Sequence, residues 1–194
     1  MTEARGGLHD LVLVRHGATE WSTDGRHTGH SDIPLLPEGV EQARRVGELL
    51  AGHEFALVLT SPLQRARETC RIAGFADRAV VDDDLRELDY GDYEGLTTAT
   101  IRESVPGWTV WTHPCPGGET LDEAAARTDR VIERARAADG DAVVFAHGHI
   151  LRILTARWCE LPAVEGRRFV LHTATISQLG HEHALPAVVR WNAD

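Results

Sequence analysis

Short apolar runs alternate with amphipathic stretches along this chain. Leu11-Val12-Leu13-Val14 is a continuous apolar run of the kind that forms a buried parallel strand. Ala56 to Thr60 reads as a second buried strand, Ala79-Val80-Val81 as a short apolar piece, and Asp141 to Ala146 as a further strand. Elsewhere the period is that of a helix. Pro37 to Gly52 has proline in its first turn and glycine at its end, and sets Val40, Ala43, Val46, Leu49 and Leu50 on one core-facing stripe. Another helix starts at Ser61-Pro62, with Ser61 as N-cap and Pro62 in the first position. Thr97 to Ser104 is a short helix. Leu121 to Ala138 is a long amphipathic one with Val131 and Ile132 inward, and a helix starting near Ile150 and reaching Trp158 buries Leu151, Ile153 and Leu154. Phe169 to Leu171, Ala174 to Leu179 and Ala187 to Trp191 read as edge strands.

The polar breaks between these elements hold the candidate chemistry. The first strand ends at Arg15-His16-Gly17, and the strand Asp141–Ala146 ends in His147-Gly148-His149. A histidine thus stands at each of two strand ends, where open α/β sheets gather ligands. Gly148 allows close backbone approach, and the helix after it can offer unpaired N–H groups to an anion. Arg65 falls in the first turn of its helix and can point back over the sheet edge, whereas Arg67 and Arg71 read as solvated charges. The stretch from Trp21 to Leu35, rich in Gly, Ser, Thr and Asp, reads as a loop. Seven carboxylates crowd Asp82 to Glu94, and residue chemistry alone does not choose a catalytic acid among them. Trp108 and Trp111 are either core aromatics or part of a substrate-covering lid. His172, His181 and His183 read as surface histidines past every motif.

Composition narrows the class. At 194 residues the chain suits one domain, 1–194, with 42% hydrophobic and 26% charged residues. A net charge of −10 argues against nucleic-acid or anionic-membrane partners. All 20 basic residues are arginine, which excludes any mechanism that needs a lysine. Cys70, Cys115 and Cys159 are widely spaced and suggest neither a disulfide framework nor a zinc site. The start, MTEARGGLHD, has no apolar leader core, and no run approaches the ~20 residues of a membrane span, so a cytoplasmic enzyme is expected.

Four motifs in order carry a resemblance that covers nearly the whole chain. RHGATEW (Arg15–Trp21), SPLQRARET (Ser61–Thr69), LRELDYGDYEG (Leu85–Gly95) and the His147-Gly148 pair resemble those of the histidine phosphatase superfamily, which includes the cofactor-dependent phosphoglycerate mutases. The resemblance implies a three-layer α/β/α sandwich around a mostly parallel sheet. It implies His16 as the nucleophile that carries the phosphoryl group, Arg15 and Arg65 as phosphate-binding arginines, His147 as second catalytic histidine and Glu87 as proton donor. It places Ser22, Thr28, the Gly29 backbone, Tyr90 and Gly148 at substrate-binding positions, and gives Glu94 a structural role. The acidic neighbours Asp84 and Asp89 are expected to crowd negative charge about Glu87. No metal and no cofactor enter this scheme.

The implied substrate is a small phosphate monoester, whose phosphoryl group carries ~2 negative charges that arginine forks pair well. Mutases of the family carry a longer insert, with an arginine pair and a lysine for the substrate's second charged end. Here Thr97 to Glu119 contains only Arg102, which favours hydrolysis. The segments Asp82–Thr97, Cys115–Thr120 and Val143–Arg152 are most similar to bacterial acid phosphatases and fungal sedoheptulose-1,7-bisphosphatases. A phosphatase is therefore expected, on sugar phosphates or a sugar bisphosphate; a phosphoglycerate mutase or a non-catalytic phospholigand-binding member of the fold are the alternatives. A homo-oligomer is compatible with this reading.

Overall fold

Six strands hydrogen-bond into one sheet: β1 (Leu11–Arg15), β2 (Leu57–Thr60), β3 (Ala79–Val81), β4 (Ala142–Ala146), β5 (Ile176–Glu182) and β6 (Leu185–Ala193). The computed structural model describes residues 8–194; the leader-free reading of the first residues, and positions 1–7 of the expected single domain, lie outside the described residues. The strand order is β3-β2-β4-β1-β5-β6. β1, β2, β3 and β4 pair parallel, while β5 runs antiparallel to β1 and β6 antiparallel to β5. The expected α/β/α arrangement is present.

Both faces of the sheet are covered, which is why its central strands are apolar throughout. Leu11, Leu13, Val144 and Ala146 pack with α5 (Leu121–Arg136) and α6 (Gly148–Trp158) through Val131, Ile132, Ile150 and Leu154. Val12, Val14, Val143 and Phe145 point the other way, into a second core with Val46 of α2 (Pro37–Leu49) and Cys70 of α3 (Gln64–Ile72). Successive strand residues thus feed opposite cores, as the two-residue period of a strand requires.

Several boundaries differ from the sequence reading. The Trp21–Leu35 loop opens on a short helix, α1 (Glu20–Asp24), capped by Thr19. α2 stops at Leu49, which is exposed; Leu50 instead closes that face. α3 starts at Gln64, so Ser61 and Pro62 precede it and Leu63 is the N-cap. The short helix α4 (Thr98–Ser104) is capped by Thr97, and α5 carries a capping box from Thr120 and Glu123. At the C-terminus, Phe169 to Leu171 form no strand, and β5 is internal to the sheet. His181 is half-buried against Trp158, its ring centroid 5.4 Å away, while His172 and His183 are exposed.

The loop after β1 is fixed by backbone against backbone. A Cβ on Gly39, in the first turn of α2, would overlap the Ala18 carbonyl oxygen, and one on Gly17 would overlap that of Gly39. In an isolated helix, Gly→Ala gains about 1 kcal/mol. Here overpacking against rigid backbone, typically ~1–3 kcal/mol, opposes that gain. Gly39→Ala is expected to lower the urea midpoint at unchanged m-value; a raised midpoint would show that the loop yields freely.

Candidate active site

Sheet register brings the two strand-end histidines together. Arg15 lies opposite Ala146, and the His16 N–H donates to the Ala146 carbonyl at 3.0 Å. His16 and His147 therefore leave adjacent parallel strands at the same level, with ring centroids 5.2 Å apart. Ser61 follows β2 on the other side of β4, its N–H on the Phe145 carbonyl.

His16 is buried, and its Nδ1 lies 2.8 Å from the carbonyl oxygen of Gly17. A carbonyl only accepts, so Nδ1 carries the hydrogen and Nε2 keeps a lone pair. Burial, followed by the charges of Arg65 and Arg15, holds the imidazole well below its ordinary pKa, so the ring is neutral. Gly17 is fastened in turn by its N–H to Thr69 Oγ1 at 3.0 Å.

His147 has the opposite tautomer. Arg65 Nε donates to its Nδ1 at 3.0 Å, and arginine has no acceptor, so the neutral ring donates from Nε2 to Ser61 Oγ at 2.7 Å. Desolvation, then Arg65, His16 and Arg15, keep this histidine neutral as well. The hydroxyl expected to cap α3 therefore holds the second histidine.

The two arginines are employed differently. Arg65, fully buried, donates Nε to His147, Nη1 to Ser31 O at 2.8 Å, and Nη2 to Thr28 O at 3.0 Å and Gly29 O at 3.1 Å. Four of its five N–H groups are thus bound by protein, which leaves one. Arg15 donates Nη1 to Leu171 O at 2.5 Å, while its Nε is sealed from solvent without a partner. An orphaned buried donor on a cation marks a place for an anionic oxygen.

Glu87 is seated at the start of α6. Its Oε1 accepts from Leu88 N–H at 2.9 Å and Ile150 N–H at 2.9 Å, and its Oε2 from His149 N–H at 3.0 Å. The helix starts at Gly148 rather than near Ile150, and the N–H groups expected to be free for an anion are occupied by this side chain. A Cβ on Gly148 would lie 3.4 Å from Arg15 Cζ and 3.6 Å from Glu87 Oε2, so the three meet at one point. The expected crowd of negative charge about Glu87 is absent. Asp84 pairs with Arg130, and Asp89 accepts from Gly91 N–H and lies 3.7 Å from His30.

The other expected positions divide. Ser22 sits in α1 with its hydroxyl in the Thr19 capping box, donating to Thr19 O at 2.9 Å and accepting from Thr19 N–H at 2.8 Å. Thr28 Oγ1 donates to Arg26 O, and the Gly29 N–H donates to the Glu94 carboxylate, so both residues face Arg65 through their carbonyls. Glu94 also accepts from Ser31 N–H, and so pins this loop. The Tyr90 hydroxyl is buried 2.6 Å from His149 Nδ1. Burial raises its pKa well above the usual value, so it keeps its proton and donates. Trp108 is core; half-buried Trp111 lies against His149 and Arg152.

The groups that hold these in place carry weaker signals in the sequence. Ser61 and Thr69 are the outer letters of the Arg65 motif, and that placement was the available signal. Arg127 of α5 had none. It clamps the acid-bearing segment by donating to the carbonyls of Asp84 and Arg86, each at 2.6 Å, and of Glu87 at 3.3 Å, and pairs with Glu119. Among the described residues, no group of three or more His, Cys, Asp or Glu is arranged to hold a metal ion.

The sequence pattern that defines the histidine phosphatase superfamily (branch 1) matches residues 11–194. An acid phosphatase of Mycobacterium tuberculosis is 43% identical over 181 residues, 91% of this chain and 89% of the relative. A sedoheptulose 1,7-bisphosphatase of Saccharomyces cerevisiae is 38% identical over 76% of this chain and 66% of the relative. A phosphoglycerate mutase of Methylorubrum populi is 33% identical over 95% and 90%. Among solved structures, a mycobacterial glucosyl-3-phosphoglycerate phosphatase in complex with VO3 superposes with a TM-score of 0.86 at 30% identity, over 96% of this chain and 100% of that one.

The buried histidines set the acid stability. His16, His147 and His149 are held well below the ordinary value, and His27, desolvated beside Tyr90, falls to about 4. The unfolded chain takes up these protons below about pH 6.5 while the folded protein does not, so stability is lost as pH falls through that value. Near pH 5 each group contributes ~1.4 kcal/mol per pH unit. In urea unfolding, the slope of stability against pH is expected to grow from near zero at pH 7.5 to about three to four protons near pH 5, reduced there by about one in His27→Gln. A flat profile would contradict neutral buried imidazoles.

Proposed function

The chain belongs to the histidine phosphatase superfamily (branch 1) and is a phosphomonoesterase of phosphorylated small molecules; from that premise we propose that it releases phosphate through a phosphohistidine on His16. The observation that carries the proposal is the fixed tautomer of His16. Nδ1 is held by the Gly17 carbonyl, so the lone pair for attack is on Nε2, and the ring is neutral.

In the first step, Nε2 displaces the alcohol oxygen from phosphorus, and Glu87 in its protonated form gives that oxygen its hydrogen. Oε1 already accepts two backbone N–H groups, and Oε2 only one. Oε2 is therefore the oxygen with a position left for a proton, on the side facing Gly148 and Arg15. In the second step, Glu87 as carboxylate takes a proton from water as the water oxygen attacks phosphorus, and the bond to Nε2 breaks. The unpartnered Arg15 Nε supports Arg15 as the main donor to the phosphoryl oxygens. Arg65, with one N–H left, contributes a single contact and chiefly fixes His147. Thr28 and Gly29 act through Arg65, and Ser22 supports the loop. The scheme calls on no metal.

The mutase alternative lacks its grip, since the chain has no lysine and Arg102 donates to the Trp108 carbonyl. A non-catalytic binding role leaves the His16 and Glu87 geometry without purpose. Among the described residues, no helix is long and apolar enough to cross a membrane. We place the enzyme in the cytoplasm as one domain, and its net charge of −10 disfavours nucleic-acid partners.

Rapid quench with a 32P-labelled sugar phosphate is expected to trap acid-labile, base-stable label on the protein, and none in His16→Ala. Retention of most activity in that variant would overturn the mechanism.

A second test addresses the acid. A sugar alkoxide leaves poorly without a proton, whereas a nitrophenolate needs none. Glu87→Gln is expected to slow the pre-steady-state burst of a sugar phosphate on the order of 10²–10⁴-fold, and that of p-nitrophenyl phosphate much less. Equal losses would assign the proton to another group.

A further inference from the structure

The Tyr90 hydroxyl and the His149 ring take no part in the reaction scheme, yet both lie against the acid. Tyr90 is 1% exposed, and its hydroxyl meets one partner among the described residues, His149 Nδ1 at 2.6 Å. His149 is the second residue of α6. Its backbone N–H holds Glu87 Oε2 at 3.0 Å, and its Nδ1 lies 4.0 Å from that same oxygen. Its Nε2 makes no hydrogen bond to any described residue and is not sealed from solvent.

Which atom donates between the two rings follows from what each has left. Were Nδ1 to carry a hydrogen and donate, the phenolic O–H would be buried without an acceptor, which is costly. Tyr90 therefore donates. His149 is neutral, so its one hydrogen is on Nε2, and Nδ1 faces Glu87 with none to give. In the other tautomer a small ring rotation would turn the Nδ1–H onto Oε2. That oxygen would then accept two N–H groups, as Oε1 does, and lose the position it keeps for a proton.

We propose that Tyr90 is a positioning residue for the acid: by donating to His149 Nδ1 it keeps that nitrogen without a hydrogen, so that Glu87 Oε2 stays free to carry the proton given to the departing oxygen. This rests on the phosphatase reading with Glu87 as acid, and deepens it. The charges facing the pair do not depend on the Tyr90 hydroxyl. Arg15 from β1, Arg65 from α3 and Arg152 from α6 act on Glu87, and Arg152, His27 and Arg15 act on His149. Arg127 of α5, paired with Glu119, holds the Glu87 carbonyl. The cleft outside Glu87 adds Asp83 paired with Arg86, His30 near Asp89, and Glu123 in the α5 capping box. All of these remain when the hydroxyl alone is removed.

Long-range 1H–15N spectra of 15N-histidine-labelled protein read the tautomer directly, with the His149 signals identified by their loss in His149→Ala. The wild type is expected to show hydrogen on Nε2 alone, and Tyr90→Phe a mixture of both tautomers. The pH profile of the pre-steady-state burst reads the consequence. With ribose 5-phosphate, the basic limb is expected to move down by about one pH unit in Tyr90→Phe, a loss of about tenfold above it. With p-nitrophenyl phosphate, whose leaving group needs no proton, no such shift is expected. The double variant Tyr90→Phe, His149→Ala has no ring nitrogen left to donate, so its limb is expected to return towards the wild-type position, a reversal that a packing defect would not produce. Hydrogen on Nδ1 in the wild type, or an unmoved limb in Tyr90→Phe, would overturn the proposal. Should Tyr90→Phe fail to fold, the wild-type tautomer decides it. Absence of phosphate release from both esters would instead overturn the phosphatase reading and this one with it.

Discussion

A single buried guanidinium holds the site together. Arg65 has no exposed surface, and an ion taken out of water costs several kcal/mol unless its donors are met. Four of its five N–H groups are met, by the loop carbonyls of Thr28, Gly29 and Ser31 and by the ring of His147. Its own carbonyl accepts from Thr69, whose oxygen in turn receives the Gly17 N–H beside the nucleophile. The loop, α3 and the ends of β1 and β4 are thereby joined through one side chain. Lysine could not substitute, because a point charge with three donors lacks the planar fork these carbonyls fit.

Cation placement also explains the histidines. The protein is acidic overall, at −10, yet the charges felt at His16 are those of two arginines, Arg65 and Arg15. A protonated imidazole there would be repelled and unsolvated, so both catalytic-position rings stay neutral. The tautomers then follow from the partners. A carbonyl under Nδ1 frees Nε2 in His16, and a guanidinium at Nδ1 forces Nε2 to donate in His147. Two chemically identical side chains, 5.2 Å apart, become a nucleophile and a donor through their neighbours alone.

Much of this was legible from local sequence. The runs around Leu11–Val14 and Val143–Phe145 are apolar at every position because α-helices cover both faces, and a histidine stands two residues after each run. What could not be read depends on contacts distant in sequence. Ser61 before proline has the local chemistry of a cap, but His147, 86 residues away, takes its hydroxyl. α6 starts earlier than its apolar pattern because its first turn is capped from outside, by Glu87, rather than by a polar N-cap side chain. At the C-terminus, register shifts between Ile176 and Leu179 break the alternation that marks a strand, and His183 takes a left-handed turn position with φ 53°. That turn carries no glycine, so nothing in its composition announced it.

The acid is the least local element of all. Its carboxylate rests on N–H groups of α6, and its backbone hangs from Arg127 of α5, itself buried and paired with Glu119. Three of the Arg127 contacts are to carbonyls, which any sequence could supply, so the segment around Glu87 can vary in side chain while its path stays fixed. The carboxyl group itself cannot vary. One oxygen must accept two N–H groups to be oriented, and the other must keep room for a proton. An aspartate would reach one atom less far, and a glutamine would present an amide to the same N–H groups. Glutamate at position 87 is therefore fixed by geometry before any question of proton transfer arises, and the proton transfer uses only the lone pair which that geometry leaves over.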